Sequence, residues 1–325
     1  MLRRKNGAVP PLMLNMLLAY SGYGMSVPVM PAYMDELGLT GATIGFLFAA
    51  FSVMQLAFSP AAGRWSDTYG RKRMIVGGLV VFALSEWMFG AAHTLVPLYV
   101  SRLLGGAGTA FMTPAVMAYV SDVTTEDERA RGISFINAAI STGFVIGPGL
   151  GGLIAVYGVR MPFYSAAVVG GLAACISMLF LPESRHLKQA AEDHRGHAEN
   201  NETLSRQLSR SMRPPYRYGS LVTFVLAIGL AIFETIYGLY ADRKYGLTPQ
   251  HIAVIVTGSA ILGALVQITA LGTLLNRLGE RRVMTACLAA GGGGLLAFML
   301  AHGYWSVLAS HLPCFFGFGH AATCR

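Results

Sequence analysis

Gly63-Arg-Trp-Ser-Asp67-Thr-Tyr-Gly70-Arg71-Lys72-Arg73-Met74 and Gly272-Thr-Leu-Leu-Asn276-Arg277-Leu-Gly279-Glu280-Arg281-Arg282-Val283-Met284 are two versions of one phrase. In each, a glycine is followed at the same spacing by Asp or Asn, by a second glycine and by a basic cluster. Each phrase joins two long apolar stretches, so the chain carries two related halves. Of its 325 residues 54% are apolar and only 12% charged, against about 25% charged in a typical soluble domain. So few charges cannot cover a water-facing surface. The apolar residues come in blocks that mostly reach the roughly 20 residues needed to cross a hydrocarbon core, not in the short alternating runs of a barrel. The predicted fold class is an all-α membrane protein.

Ten such blocks are read at about 11–33, 42–62, 74–92, 95–120, 133–157, 161–181, 219–241, 251–275, 283–301 and 303–320. An even count puts both termini on one side, and the basic residues choose which. A cytoplasmic N-terminus assigns 20 of the 24 Lys and Arg residues to inner segments; Arg160, Arg243 and Lys244 fall outside and Arg102 lies within a span. The expected location is therefore the cytoplasmic membrane, multi-pass, with both termini cytoplasmic. The net charge of +8 is explained by topological anchors and gives no nucleic-acid patch. Met1-Leu-Arg-Arg-Lys5 precedes a span-length apolar run without a small-residue cleavage site, so the first helix is expected to stay as an anchor. Domain organisation is read as a six-helix N-terminal half (1–181), a polar cytosolic linker (182–218) and a C-terminal half of four spans (219–325).

The chemistry-bearing residues exclude several classes. The four cysteines sit singly on apolar segments, and His186, His194 and His197 lack cysteines or regular spacing, so no metal site is expected. Neither a nucleophile–base pair nor a Walker motif is present; an enzyme, a cofactor and ATP drive are not expected. Within the spans three ionisable residues stand out. Arg102 costs about 2.5–3.5 kcal/mol to insert, so it should face a cavity or a partner, or else snorkel to the interface. Glu234 is a desolvated carboxylate able to load and release protons, or a structural acid hydrogen-bonded to backbone. Glu86, near the end of its span, reads equally as functional or structural.

Further stretches carry a family resemblance. Gly63–Met74 matches the GxxxDxxGRKR signature of the major facilitator superfamily, whose parallel halves enclose a midplane cavity. Gly22-Tyr-Gly-Met-Ser-Val-Pro28-Val-Met-Pro31, Arg102-Leu-Leu-Gly105-Gly-Ala-Gly108 and Gly143-Phe-Val-Ile-Gly147-Pro148-Gly-Leu-Gly151-Gly152 resemble signatures of its 12-span drug:proton antiporters. With Phe233-Glu234-Thr235-Ile236-Tyr237, the sequence is similar to the quinolone and multidrug exporters of Gram-positive bacteria from about residue 12 to about 318.

The resemblance implies a major facilitator-type helical bundle and proton-coupled efflux of amphipathic drugs by a monomer whose partners are the small-molecule substrate, protons and the bilayer. It implies proton coupling at Arg102, Glu234 and Glu86. It gives Gly63, Asp67, Gly70, Arg71, Lys72 and Arg73, with Asp122 as countercharge, the role of a conformational latch. Gly143, Gly147, Pro148, Gly151 and Gly152 would seal the halves, although plain helix packing fits them equally. Tyr20, Gln55, Phe111, Ser141, Phe144, Phe233 and Tyr237 are candidate lining for a promiscuous apolar-cation cavity, with ordinary packing as the alternative for each.

The pattern departs from the family at its end. Ten spans stand where the family has twelve, and Gly319 occupies the position where relatives carry a second acid. The C-terminal half is accordingly expected to be incomplete. The alternatives kept open are a facilitator or importer of one metabolite and a truncated, non-transporting fragment.

Overall fold

The computed structural model describes residues 9–183, 216–266 and 279–321. Among these every regular element is helical. In chain order they are α1 (Val9–Ser26), α2 (Met30–Glu36), α3 (Gly41–Tyr69), α4 (Arg71–Ala91), α5 (Leu95–Val123), α6 (Glu126–Ile154), a short 3-10 turn (Ala155–Tyr157), α7 (Met161–Phe180), α8 (Tyr216–Tyr245), α9 (Pro249–Val266), α10 (Glu280–Met299) and α11 (Tyr304–Ala321). Each of the ten expected segments is helical over most of its described residues. Five of the helices, those running through α3 to α7, are long and apolar enough to cross a membrane.

Three boundaries differ from expectation. The first segment is broken: α1 stops at Ser26 and α2 restarts at Met30, because Pro28 and Pro31 supply no backbone N–H and Pro31 fits only the first turn of a new helix. The basic phrase Gly63–Arg73 is not a loop. Helix α3 continues to Tyr69 and α4 begins at Arg71, so the whole connection is Gly70 with φ +102°. Helix α8 starts at Tyr216, inside the expected linker; residues 184–215 of that linker, and Gly272 to Leu278 of the second phrase, lie outside the described residues.

The chain divides into two compact units, Met1–Asn200 and Asn201–Arg325. In the first, α1 packs on α6 and α7, and α4 packs on α5 and α7, with α3 against α5. Leu12, Met16, Ile75, Leu79, Val116 and Tyr119 form its buried centre. Its outside is apolar too: Phe46, Leu56, Leu153 and Leu179 are all more than 60% exposed, a surface suited to lipid rather than water. In the second unit α11 packs against α8, α9 and α10, around Tyr237, Ile252, Ile255, Phe298 and Val307.

Small residues decide how closely the first unit packs. A Cβ on Gly78 would lie 2.6 Å from the Gly108 carbonyl oxygen, and one on Gly108 would lie 2.8 Å from that of Gly78. On the other side, a Cβ on Gly143 would meet Leu17 O at 2.8 Å and one on Gly147 would meet Ser21 O at 2.6 Å. Helices α4 and α5, and α1 and α6, therefore touch backbone to backbone.

Candidate functional site

The ion pairs described in the first unit fall into three places. The most buried is an ion pair between the fourth and fifth helices. Glu86 is five residues from the end of α4 and Arg102 seven from the start of α5. The antiparallel hairpin brings them level, and Arg102 Nη1 donates to Glu86 Oε1 at 3.0 Å with side-chain exposures of 7% and 1%. The guanidinium carbon also lies over the Phe89 ring, 3.7 Å from its centroid, a cation–π contact. Gly105, one turn on, has no side chain to fill the space beside Ser85 and Phe51. Glu86 Oε2 and Arg102 Nη2 have no hydrogen-bond partner among the described residues. The pair is thus half-satisfied, and ions removed from water at a cost of several kcal/mol each depend on one shared bond. Glu86, the weaker of the acids by sequence, is the partner of Arg102.

The second place is the single-residue turn. Arg71 is buried and bonds Asp67, Asp122 Oδ2 at 3.2 Å and Ser66 Oγ at 3.0 Å. Asp122 is thus the countercharge that the sequence suggested, delivered by the end of α5. Lys72 takes part through its backbone: its N–H donates to Glu183 Oε1 at 3.4 Å, and the Glu183 carboxylate covers Gly70 so closely that a Cβ there would lie 2.6 Å from it. An anion at the first turn of α4 suits the helix dipole. Arg73 is exposed, and a Cβ on Gly63 would meet nothing within 4 Å, so close helix approach is not Gly63's role within this unit. Glu183 was not singled out by the sequence.

The third place, at the opposite end of α4, was also missed. Tyr33 Oη donates to Phe89 O at 2.6 Å and Ala92 O at 3.1 Å. Arg160 donates to Glu36 Oε1 at 2.8 Å and to Gly90 O and Ala92 O at 3.0 Å each. A phenol and a guanidinium together satisfy the orphan carbonyls of a helix C-terminus.

The glycine-rich run on α6 lines the α1 interface. Gly143, Gly147 and Gly151 face Leu17, Ser21 and Met25, Pro148 abuts Gly24, and Gly152 is buried. The aromatic candidates form separate groups. Tyr20 packs at a tilt on Phe144 with centroids 5.1 Å apart and shares a hydrogen bond with Thr113; Tyr23 and Phe51 extend this group. Phe111 packs on Phe58 and Trp65. Gln55 is half-buried and Ser141 exposed.

In the second unit Phe233 and Tyr237 pack on each other and both on His311, with Tyr237 4.6 Å from its ring centroid. Glu234 lies on α8 between them; its side chain is outside the described residues. The end of α10 repeats the capping seen on α4: Tyr245 Oη donates to Phe298 O at 2.8 Å, and Lys244 Nζ to Met299 O at 2.6 Å.

Residues 12–324 match the model of the Major Facilitator Superfamily. The chain belongs to that superfamily. It is 43% identical over 306 residues to Multidrug resistance protein 2 of Bacillus subtilis (strain 168), covering 94% of this chain and 75% of that protein. It is 33% identical over 308 residues to Quinolone resistance protein NorA of Staphylococcus aureus (strain MRSA252), covering 94% and 77%. Among solved structures the nucleoside transporter NupG superposes with a TM-score of 0.74 at 15% identity, covering 97% of this chain and 80% of that one. A bacterial homologue of the lysosomal transporter Spinster gives 0.72 at 16%. At those identities the likeness is one of fold. This superfamily member is therefore a helical transporter-fold protein, as the repeated phrase implied.

Proposed function

We propose that this chain is a secondary active exporter of amphipathic, cationic drugs, driven by protons entering in exchange. The observation that carries the reading is its identity of 43% and 37% to two Bacillus multidrug resistance proteins over 94% and 98% of its length. In this reading it sits in the cytoplasmic membrane as a monomer with both termini cytoplasmic, which puts Gly70 and Gly279 at the inner face and the Tyr33 and Tyr245 caps at the outer face.

Arg102, Glu86 and Glu234 then carry the coupling. The half-satisfied Glu86–Arg102 pair supports it, since a proton reaching Glu86 releases Arg102 to another partner. Gly70, Arg71 and Lys72, with Asp67, Asp122 and Glu183, act as the latch, while Gly63 and Arg73 flank it. Gly143, Gly147, Pro148, Gly151 and Gly152 hold α1 against α6 and keep the half rigid and closed to leakage. Tyr20, Phe144, Phe111, Gln55 and Ser141 line the first half's share of the substrate path, and Phe233 and Tyr237 the second's.

The test is ethidium extrusion by everted vesicles carrying the 325-residue chain. Uptake that stops when nigericin and valinomycin collapse the gradients is expected. Transport that continues unchanged sinks proton coupling, and movement of one metabolite with no drug movement favours the facilitator instead.

A further inference from the structure

His311 is a buried group that the drug-export reading leaves without a role. It is 2% exposed, it lies on α11 with its ring against Phe233 and Tyr237 of α8, and its Nδ1 has no hydrogen-bond partner among the described residues. Buried polar atoms nearly always find a partner, so an orphan of this kind calls for an explanation.

The internal repeat supplies one. Gly279 follows Gly70 by 209 residues, Phe298 follows Phe89 by 209, and both pairs do the same thing: each glycine has positive φ and starts the third long helix of its unit, and each phenylalanine carbonyl accepts from a tyrosine hydroxyl. The same displacement carries Ser101-Arg102 onto Ser310-His311. Ser101 Oγ donates to Leu98 O at 2.7 Å, and Ser310 Oγ donates to Val307 O, its counterpart, at 2.9 Å. Leu98 and Val307 are both fully buried, and Arg102 and His311 are 6% and 2% exposed. His311 is therefore the Arg102 of the second unit.

The two side chains differ in one chemical respect. A guanidinium keeps its charge at any physiological pH, whereas imidazole is the side chain that changes charge there. We propose that His311 is a proton-binding residue of the second unit: its Nδ1 takes one proton from water during the transport cycle and returns it, switching on and off the charge that Arg102 holds permanently. This deepens the proton-coupled reading and rests on it. Phe233 and Tyr237 of α8 are the rings packed on His311 among the described side chains. Glu234 lies between those two in the chain, and Asp242, Arg243 and Lys244 lie further along that helix. Of the other helices packed on α11, α9 contributes His251, which packs on Tyr304 instead. Helix α10 contributes Cys287 and an exposed Arg282 at its start.

The experiment compares the full chain with its H311N variant in nanodiscs. Asparagine keeps a polar atom near the Nδ1 position but cannot become cationic. Proton uptake between about pH 8 and about pH 4 is measured by direct titration, a window that spans imidazole protonation. The full chain is expected to bind one more proton than H311N, and H311N in everted vesicles to lose at least about tenfold in ethidium extrusion with a flattened pH profile. Equal proton uptake, or an unchanged rate and profile, overturns the proposal. A full chain that moves no ethidium refutes the export reading instead, and the proton count still decides His311. Should H311N not elute as folded protein, H311Q takes its place, and failure of both makes the position one of packing and ends the proposal.

Discussion

The two units solve the same packing problem with different chemistry. The first holds its fourth long helix with a charge pair, Arg102 to Glu86, and with glycines that press helix backbones together. The second puts a histidine ring among Phe233 and Tyr237, and its repeat counterpart of Glu86, Leu295, is apolar. Glycines 292 and 293 of α10 meet nothing within 4 Å. A duplicated scaffold thus keeps its backbone devices, the glycine turn and the tyrosine cap, while its buried polar groups are free to diverge.

The largest test of that contrast is charge removal. Arg102→Ala leaves Glu86 buried and uncompensated, which costs about 3–5 kcal/mol and should abolish recovery of monodisperse protein. The double change Glu86→Leu with Arg102→Met should restore folding, since an apolar replacement of a buried pair is often neutral, yet extrude no drug. His311→Phe, by contrast, keeps the aromatic packing and should cost less than about 1.5 kcal/mol in thermal unfolding. Equal losses for Arg102→Ala and His311→Phe would erase the distinction between the units.

Glycine packing gives the next effect. Gly78→Ala and Gly147→Ala push a methyl onto backbone oxygens and should each destabilise by about 1–3 kcal/mol. Gly292→Ala should be neutral or gain up to about 1 kcal/mol from helix propensity. Thermal midpoints in one detergent compare all three directly. The turns come third: Gly70→Ala and Gly279→Ala each force an L side chain to positive φ, at about 1–2 kcal/mol, and Gly70→Ala should be the worse because Glu183 occupies its side-chain space. Smallest are the caps. Tyr33→Phe gives up one hydroxyl proton shared between two carbonyls and Tyr245→Phe one held by a single carbonyl, so each should cost about 0.5–1.5 kcal/mol, read from the thermal midpoint.

Legibility followed the range of the interaction. The importance of Asp67, Gly70 and Arg71 was readable because all three lie within one phrase of sequence; the one-residue turn and the i,i+4 pairing of Asp67 with Arg71 came from the structure. Arg102 was readable because a charge in an apolar segment demands a reason. Its pairing with Glu86 needed the depth of each residue counted inward from the short Ala92–Thr94 connection, a comparison across two helices. The break at Val27–Val29 was signalled by Pro28 and Pro31, which the family phrase disguised as a motif. Helix continuity through Gly63–Tyr69 was hidden by charge, because Arg64 and Asp67 are polar without breaking a helix. Arg160, Tyr33 and Glu183 bond backbone atoms, which carry no sequence signature at all. His311 was signalled only by its register with Arg102, at a distance no local pattern spans.

The one-residue joint at Gly70 also acts as a tether. Helices α3 and α4 run from Gly41 to Ala91 with a single non-helical residue between them. With so little chain at the joint, the end of α3 cannot shift without drawing the start of α4, and Arg71 with it, along. Extra glycines inserted at Gly70 would give the joint slack and uncouple the two helix ends.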